Sequence, residues 1–180
     1  MAETAYLGDY NFILNYKDKG EMFIMNNKKK LIQKYQQTLA GTKEEIFPLL
    51  CPVREKEWLQ DWDYNMIYSE SGYAEKGCMF ETNNNYGSYR WIMTKHDSDN
   101  FGIQFVKTTK ENIVVIIDID LKEKNERLTY CKIQYTFIAI GEEASEHMYK
   151  ENTEEHFNEH MKKWEDSLNY YLKHGEMLID

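Results

Sequence analysis

Hydrophobic and polar positions alternate most clearly over Asn112 to Lys122. Ile113, Val115, Ile117, Ile119 and Leu121 share one face there, and Val114, Ile116, Asp118 and Asp120 the other. A period of two is the mark of a strand, because successive side chains point to opposite sides of a pleated backbone. The same period runs through Arg127 to Ile140, with Cys131, Ile133, Tyr135, Phe137 and Ala139 set against Lys132, Gln134 and Thr136. Shorter segments at 65–69, 75–82, 88–95 and 102–108 stand between turn formers: Ser71-Gly72, Asn83-Asn84-Asn85 with Gly87, His96 to Asn100, and Thr109-Lys110-Glu111. Connections this short and polar imply hairpins, hence an antiparallel meander. One more strand, of mixed polarity, is predicted over Leu31 to Leu39 and ends at Gly41.

The period changes in two places. Thr42-Lys43-Glu44-Glu45 has the form of a capping box, in which the Thr hydroxyl accepts from the amide three residues on and Glu45 reaches back. The helix it opens is cut short by Pro48 and Pro52, each of which removes a donor and crowds the preceding turn, so two short helices with a bend are expected. After Gly141 the pattern turns helical to the end. Phe157, Met161, Trp164, Leu168 and Tyr171 or Leu172 recur at three-and-four spacing, with acids early, Lys173-His174 late and Gly175 as the stop. About thirty residues at 1.5 Å each predict a single rod of roughly 45 Å, which needs a broad apolar partner; the sheet is the one available.

Residues 1–27 carry Tyr6, Tyr10, Phe12, Ile13, Leu14 and Phe23 without sustained order of either period. They read as an extension that packs on the domain or on a neighbouring chain, which makes a homodimer one option. Lys19-Gly20-Glu21 is also what a purine-rich ribosome-binding site would encode, with Met25 as an alternative start. The main domain is expected over 28–175, with a tail at 176–180.

Charge and cysteine use narrow the function classes. A net charge of −9 repels a phosphate backbone, and the single compact basic run, Lys28-Lys29-Lys30, is too short for a nucleic-acid face; it reads as a solvated strand entrance. Cys51, Cys78 and Cys131 are far apart and outside any CxxC spacing, which argues against a disulfide scaffold and a structural zinc. No apolar run reaches the roughly 20 residues of a membrane span, and the N-terminus lacks the basic-then-apolar form of a secretory signal. A reducing cytoplasm is the expected location. The 14% aromatic content suits a large core or an apolar ligand pocket.

Three sets of residues invite a chemical reading. His156-Phe157-Asn158-Glu159-His160 matches the H-x-x-E-H zinc pattern, but Phe157 belongs to the apolar stripe, which turns His156 to solvent, and only twenty residues follow. The match is read as coincidental and no metal is expected. His160 flanks Phe157 and Trp164 and can point a polar tip into a pocket. Cys131 on an apolar face reads as a structural thiol, and Asp118 with Asp120 as the solvated side of a strand rather than a proton-transfer pair. Phosphate-cradling glycine loops and nucleophile elbows are absent, so no cofactor and no catalytic residue is assigned.

The order strand, two short helices, six strands, long helix resembles the START-related superfamily, also called SRPBCC. It is most similar to bacterial polyketide-cyclase-like or activator-of-Hsp90-ATPase-like members. The residues carrying the resemblance are Phe47-Pro48-Leu49-Leu50-Cys51-Pro52-Val53-Arg54-Glu55, Trp58, Trp62, Gly77-Cys78-Met79-Phe80-Glu81-Thr82, Trp91 and Tyr135-Thr136-Phe137-Ile138-Ala139-Ile140-Gly141. The resemblance covers about 29–174. It implies an α+β helix-grip fold, a seven-stranded curved antiparallel sheet around a long C-terminal helix, with a hydrophobic cavity between them. Relatives bind lipids, sterols, polyketides and plant hormones.

The expected function is therefore binding of a small apolar or amphipathic molecule. Phe157, His160, Met161 and Trp164 would line the cavity from the helix, and Phe80, Trp91, Tyr135 and Phe137 from the sheet. Trp58 and Trp62 would stand near the entrance, which Arg54 and Glu55 would hold by pairing locally, and the polar tips of His160 and Tyr135 would select the ligand. A cyclase- or aromatase-type enzyme using the same cavity and a chaperone-modulating interaction module are the alternatives, and the sequence leaves open whether any reaction is catalysed.

Overall fold

The alternating segments all become strands of one sheet, in the computed structural model of the chain, which describes residues 3–7, 10–16, 22–26, 29–84 and 87–179. Three short strands come first, β1 (Glu3–Leu7), β2 (Tyr10–Tyr16) and β3 (Met22–Asn26), which pair antiparallel among themselves in the order β1-β2-β3. Sustained order was not expected in this stretch. The remaining strands are β4 (Lys30–Leu39), β5 (Asn65–Tyr68), β6 (Met79–Asn84), β7 (Gly87–Asp97), β8 (Gly102–Thr108), β9 (Ile113–Asn125) and β10 (Leu128–Ala139). They form a seven-stranded antiparallel sheet in the order β4-β10-β9-β8-β7-β6-β5, a meander whose first strand returns to pair with its last. Asn85, part of the turn predicted after β6, lies outside the described residues.

Register fixes which residues look inward. Tyr135 on β10 faces Ile117 on β9, Ile117 faces Phe105 on β8, and Phe105 faces Met93 on β7, one row across four strands. One step along, Phe137, Val115, Lys107 and Trp91 form the next row, and Trp91 faces Phe80 on β6. Apart from Lys107 and Trp91, these residues are buried. The other face carries Asp118, Gln134 and Gln104. Asp118 accepts from the Gln104 side chain at 2.7 Å, and Asp120 lies 3.8 Å from Lys95, so both aspartates stand on the outer face.

Between β4 and β5 the chain makes α1 (Lys43–Ile46), a 3-10 turn (Phe47–Leu49) and α2 (Pro52–Glu55). The capping box forms as the spacing predicts: Glu45 N–H donates to Thr42 Oγ1 and Thr42 N–H to Glu45 Oε2. The predicted single rod is two helices, α3 (Glu142–Glu151) and α4 (Glu154–His174). The helix breaks because Thr153 takes an extended backbone and caps α4, its hydroxyl accepting from His156 N–H, while Asn152 caps α3. Twenty-one residues give α4 a length of about 32 Å. Phe157, Met161 and Leu168 are its buried stripe, and its close backbone approach to the sheet is along β4. There Gln37 Nε2 donates to the Met161 carbonyl, Thr38 N–H donates to Glu165, and Asn169 bonds the backbone of Thr38 and Ala40. No helix among the described residues is long and apolar enough to cross a membrane.

Candidate functional site

Anchored on β4 at one edge of the sheet, α4 lies over its inward face, and large side chains meet in the space between. Phe157 sits edge-on to Tyr135, with ring centres 5.3 Å apart, and Tyr135 in turn packs on Phe137. Phe80 stacks on Trp91 at 5.5 Å with planes 9° apart, and Phe105 meets both rings edge-on. Trp164 reaches from α4 to Trp58, and Trp62 reaches from the segment after α2 to Trp91. Such offset and edge-on pairs are the favoured arrangements of aromatic quadrupoles.

The residues expected to line a cavity divide by burial. Phe80, Tyr135, Phe137, Phe157 and Met161 are buried within the core, whereas Trp62, Trp91 and Trp164 are half-buried and His160 keeps much of its surface accessible. Trp58, expected at the entrance, is fully buried, its indole N–H donating to the Leu49 carbonyl at 3.0 Å. Trp62 donates to the Pro52 carbonyl and Trp91 to Thr82 Oγ1. These three indoles thus spend their one polar group on the protein, and what Trp62 and Trp91 leave accessible is apolar ring. His156 lies exposed on α4, and no group of three metal-ligating side chains is assembled among the described residues.

Titratable groups lie among these rings. Glu55, on the last turn of α2, is only 5% exposed and points inward. It does not pair with Arg54, as the sequence suggested. Arg54 instead holds Glu57 by two 2.8 Å hydrogen bonds, and Tyr171 of α4 donates to Glu57 as well. That arrangement keeps the Glu57 carboxylate down at about 2, whereas burial alone pushes Glu55 up to about 8. Burial therefore favours the protonated form of Glu55 near neutral pH. Nearby, burial first and the Glu55 charge second hold the buried Tyr135 phenol above its ordinary range.

Lys107 is the second such group. Its strand position places it inward, and its ammonium sits 4.7 Å over the Trp91 ring and 5.0 Å over Tyr89. Desolvation brings its pKa down to about 8. His160 packs on Trp164 at 5.9 Å and is walled by protein despite its accessible edge. That enclosure, with the charges of Lys107 and Lys163, holds the imidazole below its usual pKa. Cys131, buried on β10, is pushed up to about 12, an unreactive thiol. Sequence reasoning passed over Glu55 as an interior acid and Lys107 altogether, although strand periodicity placed Lys107 on the face of Ile103 and Phe105.

No family model matches the chain, and a comparison with curated proteins finds no match. Among solved structures the same fold is found in norcoclaurine synthase from Thalictrum flavum, with a TM-score of 0.63 and 10% identity over 89% of this chain and 98% of that one. A hypothetical protein from Helicobacter pylori matches with a TM-score of 0.63 and 11% identity, over 78% and 87% of the two chains. Ara h 8.0201 matches at 0.55 and 10%, over 79% and 97%. Norcoclaurine synthase has also been crystallised with dopamine and hydroxybenzaldehyde. At these identities the likeness is one of fold: the helix-grip architecture that the sequence motifs resemble.

Proposed function

We propose that this protein binds a small apolar or amphipathic molecule between the inward face of its sheet and α4. The observation that carries the reading is the accessible aromatic surface of Trp62, Trp91 and Trp164, with Trp91 set against buried Phe80 and Phe105 and Trp164 against buried Trp58. Covering apolar surface of this kind contributes about 25 cal/mol per Å². With the N–H groups of Trp62 and Trp91 already bonded, apolar contact is what those two rings offer a ligand. The helix-grip fold of a protein crystallised with two small aromatic molecules supports the same reading. Native mass spectrometry after gentle purification, together with thermal shifts across a lipid and aromatic library, tests it. A bound mass or a raised melting temperature that Trp91→Ala weakens is expected; an apo mass with no shift by any compound overturns the reading.

A second reading, an enzyme moving protons in the same space, is favoured by one observation. Glu55 and Lys107 both sit near pKa 8, which makes one an acid and the other a partial base at neutral pH. Deuterium exchange at the methyl group of acetophenone, followed by NMR, tests it. Exchange above the buffer rate that falls in Glu55→Gln supports proton transfer, and a rate equal to buffer refutes it for this carbonyl class.

A further inference from the structure

We propose that Lys107 is the anchoring cation for a ligand whose apolar body carries a single carboxylate, an inference that rests on the binding reading above. Lys107 stands on the inward side of β8, between Trp91 on β7 and Val115 on β9, one row from Phe105 and Ile117. Its ammonium is held over the Trp91 and Tyr89 rings rather than extended to the surface. Among the described residues it has no carboxylate within ion-pair distance, whereas Lys56, Lys95, Lys110, Lys150 and Lys162 each have one.

The buried acid Glu55 does not supply the missing charge. Desolvation favours the protonated form of Glu55, and His160 beside Lys107 is held toward its neutral form. The interior therefore holds an ammonium facing aromatic rings, an arrangement that cation–π attraction offsets only in part. A half-buried charge that faces rings instead of a counter-ion is partly desolvated, and a leucine or methionine would fill the same position without that cost. A ligand oxygen bearing negative charge would complete the site by a charge-assisted hydrogen bond.

The geometry also selects the kind of anion. One lysine is a compact point charge, and no arginine fork stands beside it, so a monoanion fits better than a phosphate ester. The half-buried Trp91 ring, over which the ammonium sits, would take the apolar body, and the neutral His160 imidazole has an N–H to donate at the rim. The net charge of −9 repels anions at a distance, so the attraction is local and little screened by salt.

The test compares isosteric pairs on the full-length protein: dodecanoate against 1-dodecanol, and 2-naphthoate against 2-methylnaphthalene. Affinities come from tryptophan fluorescence at pH 7 for wild type, Lys107→Met and Lys107→Arg, each checked for folding by circular dichroism. In wild type the carboxylate member should bind at least about tenfold more tightly, as a charge-assisted bond implies. That preference should vanish in Lys107→Met and persist in Lys107→Arg. Equal affinity of both members for wild type, or a preference that survives in Lys107→Met, overturns the anchor and leaves the binding reading standing. Failure of every probe to bind wild type, the neutral ones included, overturns both.

Discussion

Glu55 and Lys107 are displaced in opposite directions from their ordinary values, each to about 8, and their effects on stability fall in different pH windows. In the folded protein Glu55 keeps its proton to about pH 8, whereas an exposed glutamate releases it near 4.5. Between these values the unfolded state binds fewer protons, so this group lowers stability as pH rises and holds it lowered above 8. Lys107 loses its proton near 8 when folded and near 10.5 when exposed, so its contribution rises with pH between those values. We predict that Glu55→Gln gains stability progressively from pH 5 to pH 8, reaching a few kcal/mol. Lys107→Met should be more stable than wild type at pH 7, with a gain that shrinks toward pH 10. Urea unfolding at pH 5, 7, 8 and 10 measures both; a Glu55→Gln gain that is flat with pH would contradict the burial of an acid. Lys107 escaped sequence reading because lysine near a strand end is ordinarily solvated. Only the approach of Trp91 and Tyr89 from the neighbouring strand shows otherwise.

At the scale of elements, the C-terminal region shows how a cap divides a continuous apolar stripe. Thr153 followed by Glu154-Glu155 is a helix-start signature, with acids in the first turn, and it stands inside what spacing alone extends into one rod. The break is also tied to the sheet, since Gln33 Nε2 donates to the Asn152 carbonyl at 2.9 Å. Thr153→Ala removes the bond from His156 N–H and should cost about 1 kcal/mol, lowering the melting temperature by about 2–4 °C, with Thr153→Ser near wild type. Differential scanning calorimetry of the two variants decides this; equal loss in both would show that the hydroxyl is not the source. The other end of α4 is fixed by Gly175, which closes the helix in the left-handed region at φ 72°, as its position in the sequence predicts.

For the molecule as a whole, the pairing of β4 with β10 closes the meander and sets the platform for α4. β1, β2 and β3 pair among themselves and contribute no strand to that sheet. Removing residues 1–27 should therefore leave the seven-stranded domain folded, with a melting temperature within a few degrees of the full chain and the same affinity for apolar probes. Circular dichroism melts and probe titrations of the shortened protein test this. A collapse of the cooperative transition would show that the extension belongs to the core.

The sequence alone determined the seven strands of the main sheet and the short capped helix, because period-two alternation, proline and glycine act locally, while the architecture followed from the resemblance and β1, β2, β3 and the break before α4 went unread. It could also rank Asp118, Asp120 and His156 as solvated, since each lies off an apolar stripe. What only the tertiary structure decided is the relation between inward residues on different strands and helices. Register brings Phe80, Trp91 and Lys107 together from three strands, and the fold closes over Glu55 while leaving Arg54 to Glu57. The physical reason is desolvation: whether an acid or an amine is charged depends on everything that surrounds it in space, and spacing along a chain carries no record of that.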